Sequence, residues 1–91
     1  MSVVIVGGNE CMARRYREIC DEYHCKSKVF PKTDGALKSI GCPDLLVLFT
    51  STVSHKMVRS TLNEIKGKNI KIIRCHSSSA SALRNILSEH A

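Results

Sequence analysis

The chain has 91 residues, of which 43% are hydrophobic and 24% are charged. This length supports one compact domain over residues 1–91 and excludes a two-domain enzyme with separate cofactor and substrate halves. The composition is that of a globular protein and excludes a disordered chain or a coiled coil. The formal net charge of +6 at pH 7 favours an anionic partner, which can be nucleic acid, a membrane surface or a small ligand.

The sequence indicates a cytoplasmic protein with free thiols. The apolar run at residues 3–6 is too short for a signal sequence, and no stretch approaches the ~20 apolar residues of a membrane span. The five cysteines are an odd number, and their spacing does not match a zinc site. We therefore expect reduced cysteines, no disulfide framework and no membrane partner.

Four short apolar runs predict strands, at residues 2–6, 28–30, 45–49 and 70–73. The runs are nearly continuous rather than alternating, which is typical of parallel strands covered on both faces. Segments with helical periodicity separate and follow them. The order βαβαβαβα predicts an α/β fold, a small four-stranded parallel sheet with flanking helices that is Rossmann-like.

Capping residues and apolar spacing define the four predicted helices. Asn9 is the predicted N-cap of the first helix, Asp34 and Gly41 bound a short second helix, and the third runs from residue 54 to about 65. The fourth begins within residues 77–79. The expected inner residues of the first, third and fourth helices are Met12, Tyr16, Ile19, Cys20, Tyr23, Met57, Val58, Thr61, Leu62, Ile65, Ala82, Leu83, Ile86 and Leu87.

The segments that follow the strands carry most of the polar chemistry. Ligands of open α/β sheets bind beyond the carboxyl ends of the strands, where helix N-termini present free N–H groups. We therefore expect one ligand site at this edge. Its candidate residues are Gly7, Gly8, Asn9, Lys32, Asp34, Gly35, Ser54, Arg74, Ser77, Ser78 and Ser79.

The glycine pair after the first strand is either a tight turn or a close approach of backbone to ligand. The third glycine of a dinucleotide fingerprint is missing, because Cys11 and Met12 stand at the corresponding positions. A Walker phosphate loop is also absent. A dinucleotide cofactor and conventional nucleotide hydrolysis are therefore disfavoured.

The serine run at residues 77–79 can cap the fourth helix or surround an anion. Arg74 shortly before it favours an anion, since a guanidinium recognises carboxylate and phosphate groups. An ion pair of Arg74 with Asp34 or Glu10 is the alternative.

Two histidines, His55 and His76, also follow strands. An imidazole at such a position can ligate a metal or haem iron, or act as a general base, although a lone histidine is more often a hydrogen-bonding or capping residue. Cys75 beside His76 is a possible nucleophile, but neighbouring residues of a strand point to opposite faces. Nucleic acid is disfavoured, because the basic residues are scattered and a recognition-helix motif is missing.

These motifs resemble those of a bacterial domain-of-unknown-function family of short Rossmann-like proteins. That family's pattern has G-G-[N/R] after the first strand, D-G after the second, S-H after the third, and an arginine followed by serines after the fourth. The matching residues here are Gly7, Gly8, Asn9, Asp34, Gly35, Ser54, His55, Arg74, Ser77, Ser78, Ser79 and Ser81.

Some members of that family are described as dimeric proteins that bind haem and oxygen, or are linked to iron physiology. The resemblance therefore implies a homodimer with a haem cofactor, in which His55 and His76 are candidate iron ligands and Arg74 and Lys32 suit the propionates. Relatives often have a histidine just before the D-G pair, where this chain has Lys32 and Thr33.

Together these observations predict a non-enzymatic ligand-binding or sensory module that binds haem, and with it oxygen, at the carboxyl ends of the strands. One alternative is a phosphate- or nucleotide-like anion-binding domain without metal. The other is a cysteine-based redox or transfer enzyme that uses Cys75.

Overall fold

The computed structural model describes residues 1–8, 10–30, 43–51, 53 and 55–90, apart from the side chains of Glu10 and His55. Its strands are β1 (Ser2–Val6), β2 (Lys26–Phe30), β3 (Leu45–Phe49) and β4 (Lys71–Cys75). Its α-helices are α1 (Ala13–Glu22), α2 (His55–Glu64) and α3 (Ala80–His90). A short 3₁₀ turn, Glu10–Met12, precedes α1.

The four strands form one parallel sheet in the order β2-β1-β3-β4. The first crossover leads from β1 to β2 on one side, and the chain then returns past β1 to β3 on the other. This reversal creates a topological switch point between β1 and β3, which is where ligands of doubly wound sheets bind. The predicted α/β fold with a four-stranded parallel sheet is confirmed.

The predicted strands at residues 2–6 and 45–49 are confirmed without change. The other two predictions were too short at one end, and the fourth also began one residue early. β2 begins at Lys26 because its backbone pairs with Ser2 of β1, and an edge strand needs no apolar side chain to do so. β4 continues to Cys75, since the pairing of β3 with β4 extends to Phe49.

The strand residues point alternately to two apolar cores. In β3, Val47 and Phe49 face the core beneath α1 and α3, whereas Leu46 and Leu48 face the core beneath α2. All five β3 residues are buried, because β3 is an inner strand with helices on both faces. The continuous apolar run at residues 45–49 thus has its expected cause.

The predicted inner faces of the described helices are confirmed. Their buried residues are Tyr16, Ile19, Cys20, Met57, Thr61, Leu83, Ile86 and Leu87, and Ile65, which was predicted to end the third helix, is buried directly after α2. The remaining predicted inner residues of these helices are partly buried against the two cores or at their rim. None of the three described helices is both long and apolar enough to span a membrane.

The helix α1 begins later than predicted from the sequence. The α-helix begins at Ala13, after the 3₁₀ turn, and Met12 at its N-cap makes no side-chain capping bond. Asn9, Pro31, and the predicted second helix with Asp34 and Gly41 lie outside the described residues.

A Schellman motif ends α1. The backbone N–H of Cys25 donates to the carbonyl of Cys20, and that of His24 donates to the carbonyl of Asp21. His24 takes the left-handed position of this motif, with φ of 57°. Glycine is the usual residue there, because a Cβ is strained in this conformation.

Candidate functional site

The exits of β1, β3 and β4 meet at the carboxyl edge of the sheet, and Tyr16 of α1 lies between them. Its side chain is fully buried in the core under α1 and α3. The ring packs against Phe49, the last residue of β3, with ring centroids 5.3 Å apart. The Tyr16 hydroxyl donates a hydrogen bond of 2.5 Å to the carbonyl oxygen of Ser78, two residues before α3.

The exit of β1 is shaped by the same tyrosine. Gly7 and Gly8 both have positive φ, 93° and 85°, and the N–H of Gly7 donates to the carbonyl of Phe30 at the end of β2. A Cβ built on Gly8 would lie 2.7 Å from Cε2 and 2.9 Å from the hydroxyl oxygen of Tyr16. The close approach that Gly8 permits is therefore to Tyr16.

Thr50 connects the exits of β3 and β4. Its backbone N–H donates to the carbonyl of Cys75 at 2.9 Å, and its hydroxyl donates to the same oxygen at 3.4 Å. The segment after β4 is thus held from β3 by Thr50 and from α1 by Tyr16. This arrangement gives the edge a fixed backbone framework.

Within the serine run, Ser79 is the N-cap of α3. Its hydroxyl oxygen accepts from the N–H of Ala82 at 3.2 Å, and its carbonyl accepts from the N–H of Leu83. The hydroxyl of Ser77 lies 3.1 Å from that of Ser79 and accepts from the Ser79 N–H at 3.4 Å. The capping interpretation of the run is confirmed at Ser79.

The first turn of α3 keeps unpaired donors. The N–H groups of Ala80 and Ser81 have no hydrogen-bond partner among the described residues. Both point away from the helix at its N-terminal end, where the helix dipole favours negative charge. The exposed hydroxyls of Ser77 and Ser79 stand beside them.

Arg74 lies on the opposite face of the sheet from α3. It is the fourth residue of β4 and pairs in register with Leu48, so it shares the α2 face with Ile72. Arg74 is exposed and forms no ion pair with any residue that the structure describes. Its alternative partners, Asp34 and the side chain of Glu10, lie outside that part of the chain.

The two histidine candidates lie at the same edge. His76 is exposed and directly follows β4, and His55 is the first residue of α2. The His55 side chain lies outside the described residues, so the structure does not relate the two imidazoles. Among the described side chains there is no cluster of three or more metal-ligating groups.

Cys75 points into the α1 and α3 core, away from Arg74. Its thiol donates to the carbonyl oxygen of Ser77 at 3.2 Å, and the side chain is only partly exposed. A thiol in this arrangement acts as a hydrogen-bond donor within the loop. Cys20, unlike Cys75, is fully buried. Burial raises the pKa of the Cys20 thiol to about 11, so this cysteine is protonated at neutral pH.

The structure thus places Gly7, Gly8, Arg74, His76 and the serine run at one edge. Arg74 and the start of α2 belong to one sheet face, and the serine run and α3 belong to the other. A ligand that reaches both must lie across the end of β4. The remaining predicted site residues outside the described part of the chain are Asn9, Lys32, Asp34, Gly35 and Ser54.

Sequence reasoning missed the roles of Tyr16 and Thr50. Tyr16 was predicted only as an inner residue of a helix, since its spacing from Ile19 and Cys20 accounts for its burial. The available signal was the hydroxyl itself, because a buried tyrosine normally has a hydrogen-bond partner.

These features define a small doubly wound α/β domain whose polar strand exits and switch point share one edge of a four-stranded sheet. A family model described as "Uncharacterized protein conserved in bacteria (DUF2325)" matches residues 2–90, and the chain belongs to that family. No curated protein and no solved structure shows significant similarity to the chain.

Proposed function

We propose that the protein is a non-enzymatic ligand-binding or sensory module that holds a small anionic ligand at the carboxyl edge of its sheet. The observation that carries this proposal is the convergence of the β1, β3 and β4 exits around Tyr16, with unpaired donors facing outward. Fixed backbone supplies the shape of the site. Arg74 and the start of α3 supply its preference for negative charge.

Electrostatics at this edge support an anion rather than a cation. Arg74 is exposed without a described carboxylate beside it, and the nearest described ion pairs lie elsewhere, along α1 and between α1 and α3. The N-terminus of α3 adds a partial positive charge. A carboxylate or phosphate bound here meets no repulsion from a described acidic side chain, because none of those side chains lies at this edge.

Haem is the ligand that the family resemblance implies, and the described donors suit it. An imidazole is a common axial ligand of haem iron, and guanidinium groups bind carboxylates such as the propionates. His76 and Arg74 offer one group of each kind on a single segment, and both are exposed. Bound haem would supply an iron centre for oxygen, while the chain's own residues anchor and orient the cofactor.

Hemin titration followed by absorbance tests the haem form of the proposal. We expect a shifted Soret band that saturates at a fixed stoichiometry and is lost in His76→Ala or in His55→Ala. His90→Ala is the matched control, because His90 ends α3 at the other end of the helix. Absence of any spectral change at stoichiometric hemin would exclude haem.

A phosphate-bearing ligand is the second candidate, and the two unpaired N–H groups of α3 favour it. Thermal unfolding with a panel of phosphate, pyrophosphate and nucleotides measures such binding, since a ligand that binds only the folded state raises the unfolding temperature. We expect Arg74→Ala to abolish the stabilisation, whereas Lys71→Ala, on the same strand but at its amino end, preserves it. An inert panel would exclude this form.

We also propose that the protein is a homodimer and that it is cytoplasmic. The four described cysteines form no disulfide with one another, as is usual for a protein of a reducing compartment. The edge strands carry Lys26, Lys28, Lys71 and Arg74, and like charges oppose pairing of two such edges. The dimer is therefore proposed to form through another face, and sedimentation equilibrium measures its mass.

A further inference from the structure

The hydroxyl of Tyr16 holds the segment between β4 and α3 at Ser78, from inside the core. Tyr16 donates to the carbonyl oxygen of Ser78; the Tyr16 side chain is fully buried, and Ser78 is partly buried. The ring of Tyr16 is itself fixed between Gly8 and Phe49. The hydroxyl therefore has a defined position from which to orient the Ser78 carbonyl.

The orientation of that carbonyl determines the direction of the next N–H. In a trans peptide the C=O and N–H groups of one unit point in opposite directions. The unit that contains the Ser78 carbonyl also contains the N–H of Ser79. Since the carbonyl points inward to Tyr16, the N–H points outward, where it meets the exposed hydroxyl of Ser77 at 3.4 Å.

We propose that Tyr16 is the positioning residue of the ligand site, acting through the Ser78–Ser79 peptide. This inference rests on the proposed function and adds to it a buried residue that does not touch the ligand. Tyr16 sets the peptide plane, the plane sets the Ser79 cap, and the cap leaves the Ala80 and Ser81 donors facing the edge. Loss of the hydroxyl frees the peptide to rotate and disorders these donors.

Tyr16→Phe tests the proposal, because it removes only the hydroxyl and keeps the ring beneath Gly8 and against Phe49. The chain offers a matched control in Tyr23→Phe, which removes a hydroxyl at the other end of α1. The probes are hemin and pyrophosphate, each titrated against the wild type and both variants. Thermal unfolding verifies that every protein tested is folded at the titration temperature.

We expect the Kd of the probe that binds the wild type to rise by up to about tenfold in Tyr16→Phe, because the free energy of the lost Tyr16–Ser78 hydrogen bond limits the indirect effect on binding. The control variant should bind within about twofold of the wild type on the same scale. A ligand-free readout accompanies this. In Tyr16→Phe the amide NMR signals of Ser79 and Ala80 should shift, and the hydrogen exchange of the Ala82 amide, which the Ser79 hydroxyl caps, should accelerate, while the interior of α3 stays protected.

Equal affinity of Tyr16→Phe and the wild type would overturn the positioning role and leave the proposed function intact. Unchanged Ser79 and Ala80 amides in a folded Tyr16→Phe protein would overturn it as well. If the wild type binds neither probe, the proposed function fails first, and the positioning role fails with it. The two failures are therefore distinguishable by the wild-type titration alone.

Discussion

The ring of Tyr16 occupies the space that a side chain at Gly8 would need, with Cε2 only 2.7 Å from an ideal Cβ at that residue. Gly8 also has φ of 85°, a conformation that side-chain-bearing residues rarely adopt. The first strand exit and the first helix are thus fitted to each other.

Gly8→Ala should lower the free energy of unfolding by about 3 kcal/mol, from backbone strain and from overpacking against Tyr16. Gly67→Ala is the matched control, because Gly67 has a similar φ of 83° but open space where its Cβ would lie. Only the backbone strain of about 1 kcal/mol applies there. Equal losses in urea unfolding would show that Tyr16 does not fill the space at Gly8.

Ser79→Ala should destabilise the protein by about 1 kcal/mol, since the Ala82 N–H loses its capping acceptor. Ser81→Ala removes the same hydroxyl two residues later, at a side chain that makes no capping bond to a described residue, and it should change the free energy of unfolding by less than about 0.5 kcal/mol. Chemical denaturation of both variants makes the comparison. A neutral Ser79→Ala would contradict the N-cap assignment.

The inner strand β3 could be predicted from the sequence, whereas the start of the edge strand β2 could not. The parallel sheet was predictable because burial on both faces requires a continuous apolar run, as in Leu45–Phe49. The added length of β2 was not, since Lys26 and Ser27 pair through backbone groups that every residue carries. Strand ends at an edge leave no apolar signal.

The sequence predicts at which edge of the sheet the candidate site lies, but it does not predict the contacts within the site. Parallel topology alone brings Gly8, Arg74 and the serine run to one end of the sheet. The link between Tyr16 and Ser78 was not predictable, because the acceptor is a backbone carbonyl 62 residues away and carries no side-chain pattern. That Arg74 lies on the sheet face opposite to α3 follows from the strand register, which only the structure gives.

His24→Gly should stabilise the protein by about 1 kcal/mol, because glycine relieves the left-handed conformation at the end of α1. His24→Ala keeps a Cβ in the same conformation and should give no such gain. Thermal unfolding compares the three proteins. A loss of stability in His24→Gly would mean that the imidazole contributes more than its backbone conformation costs.

Cys20 should make the protein less stable at alkaline pH. Burial raises the pKa of this thiol from 9.0 to about 11, so the folded state retains a proton that the unfolded state releases. The stabilisation is complete below about pH 9 and is lost as the pH rises through about 11. The slope of unfolding free energy against pH should therefore be shallower in Cys20→Ala over this interval.

The same burial predicts an order of thiol reactivity. Exposed Cys11 should react with iodoacetamide in the folded protein at pH 8, whereas Cys20 should react only after unfolding. Mass spectrometry of timed samples reads both positions in one experiment. Simultaneous labelling of Cys11 and Cys20 would show that the core around α1 opens on the timescale of the reaction.

Amide mapping by ¹H–¹⁵N NMR tests the claim that the carboxyl edge of the sheet is the ligand site. On addition of hemin or of pyrophosphate, we expect the signals of Gly8, His76, Ser79 and Ala80 to change first and to saturate together. Changes centred on the amino edge, at Asp44 and Gly67, or no change with either probe, would contradict the claim.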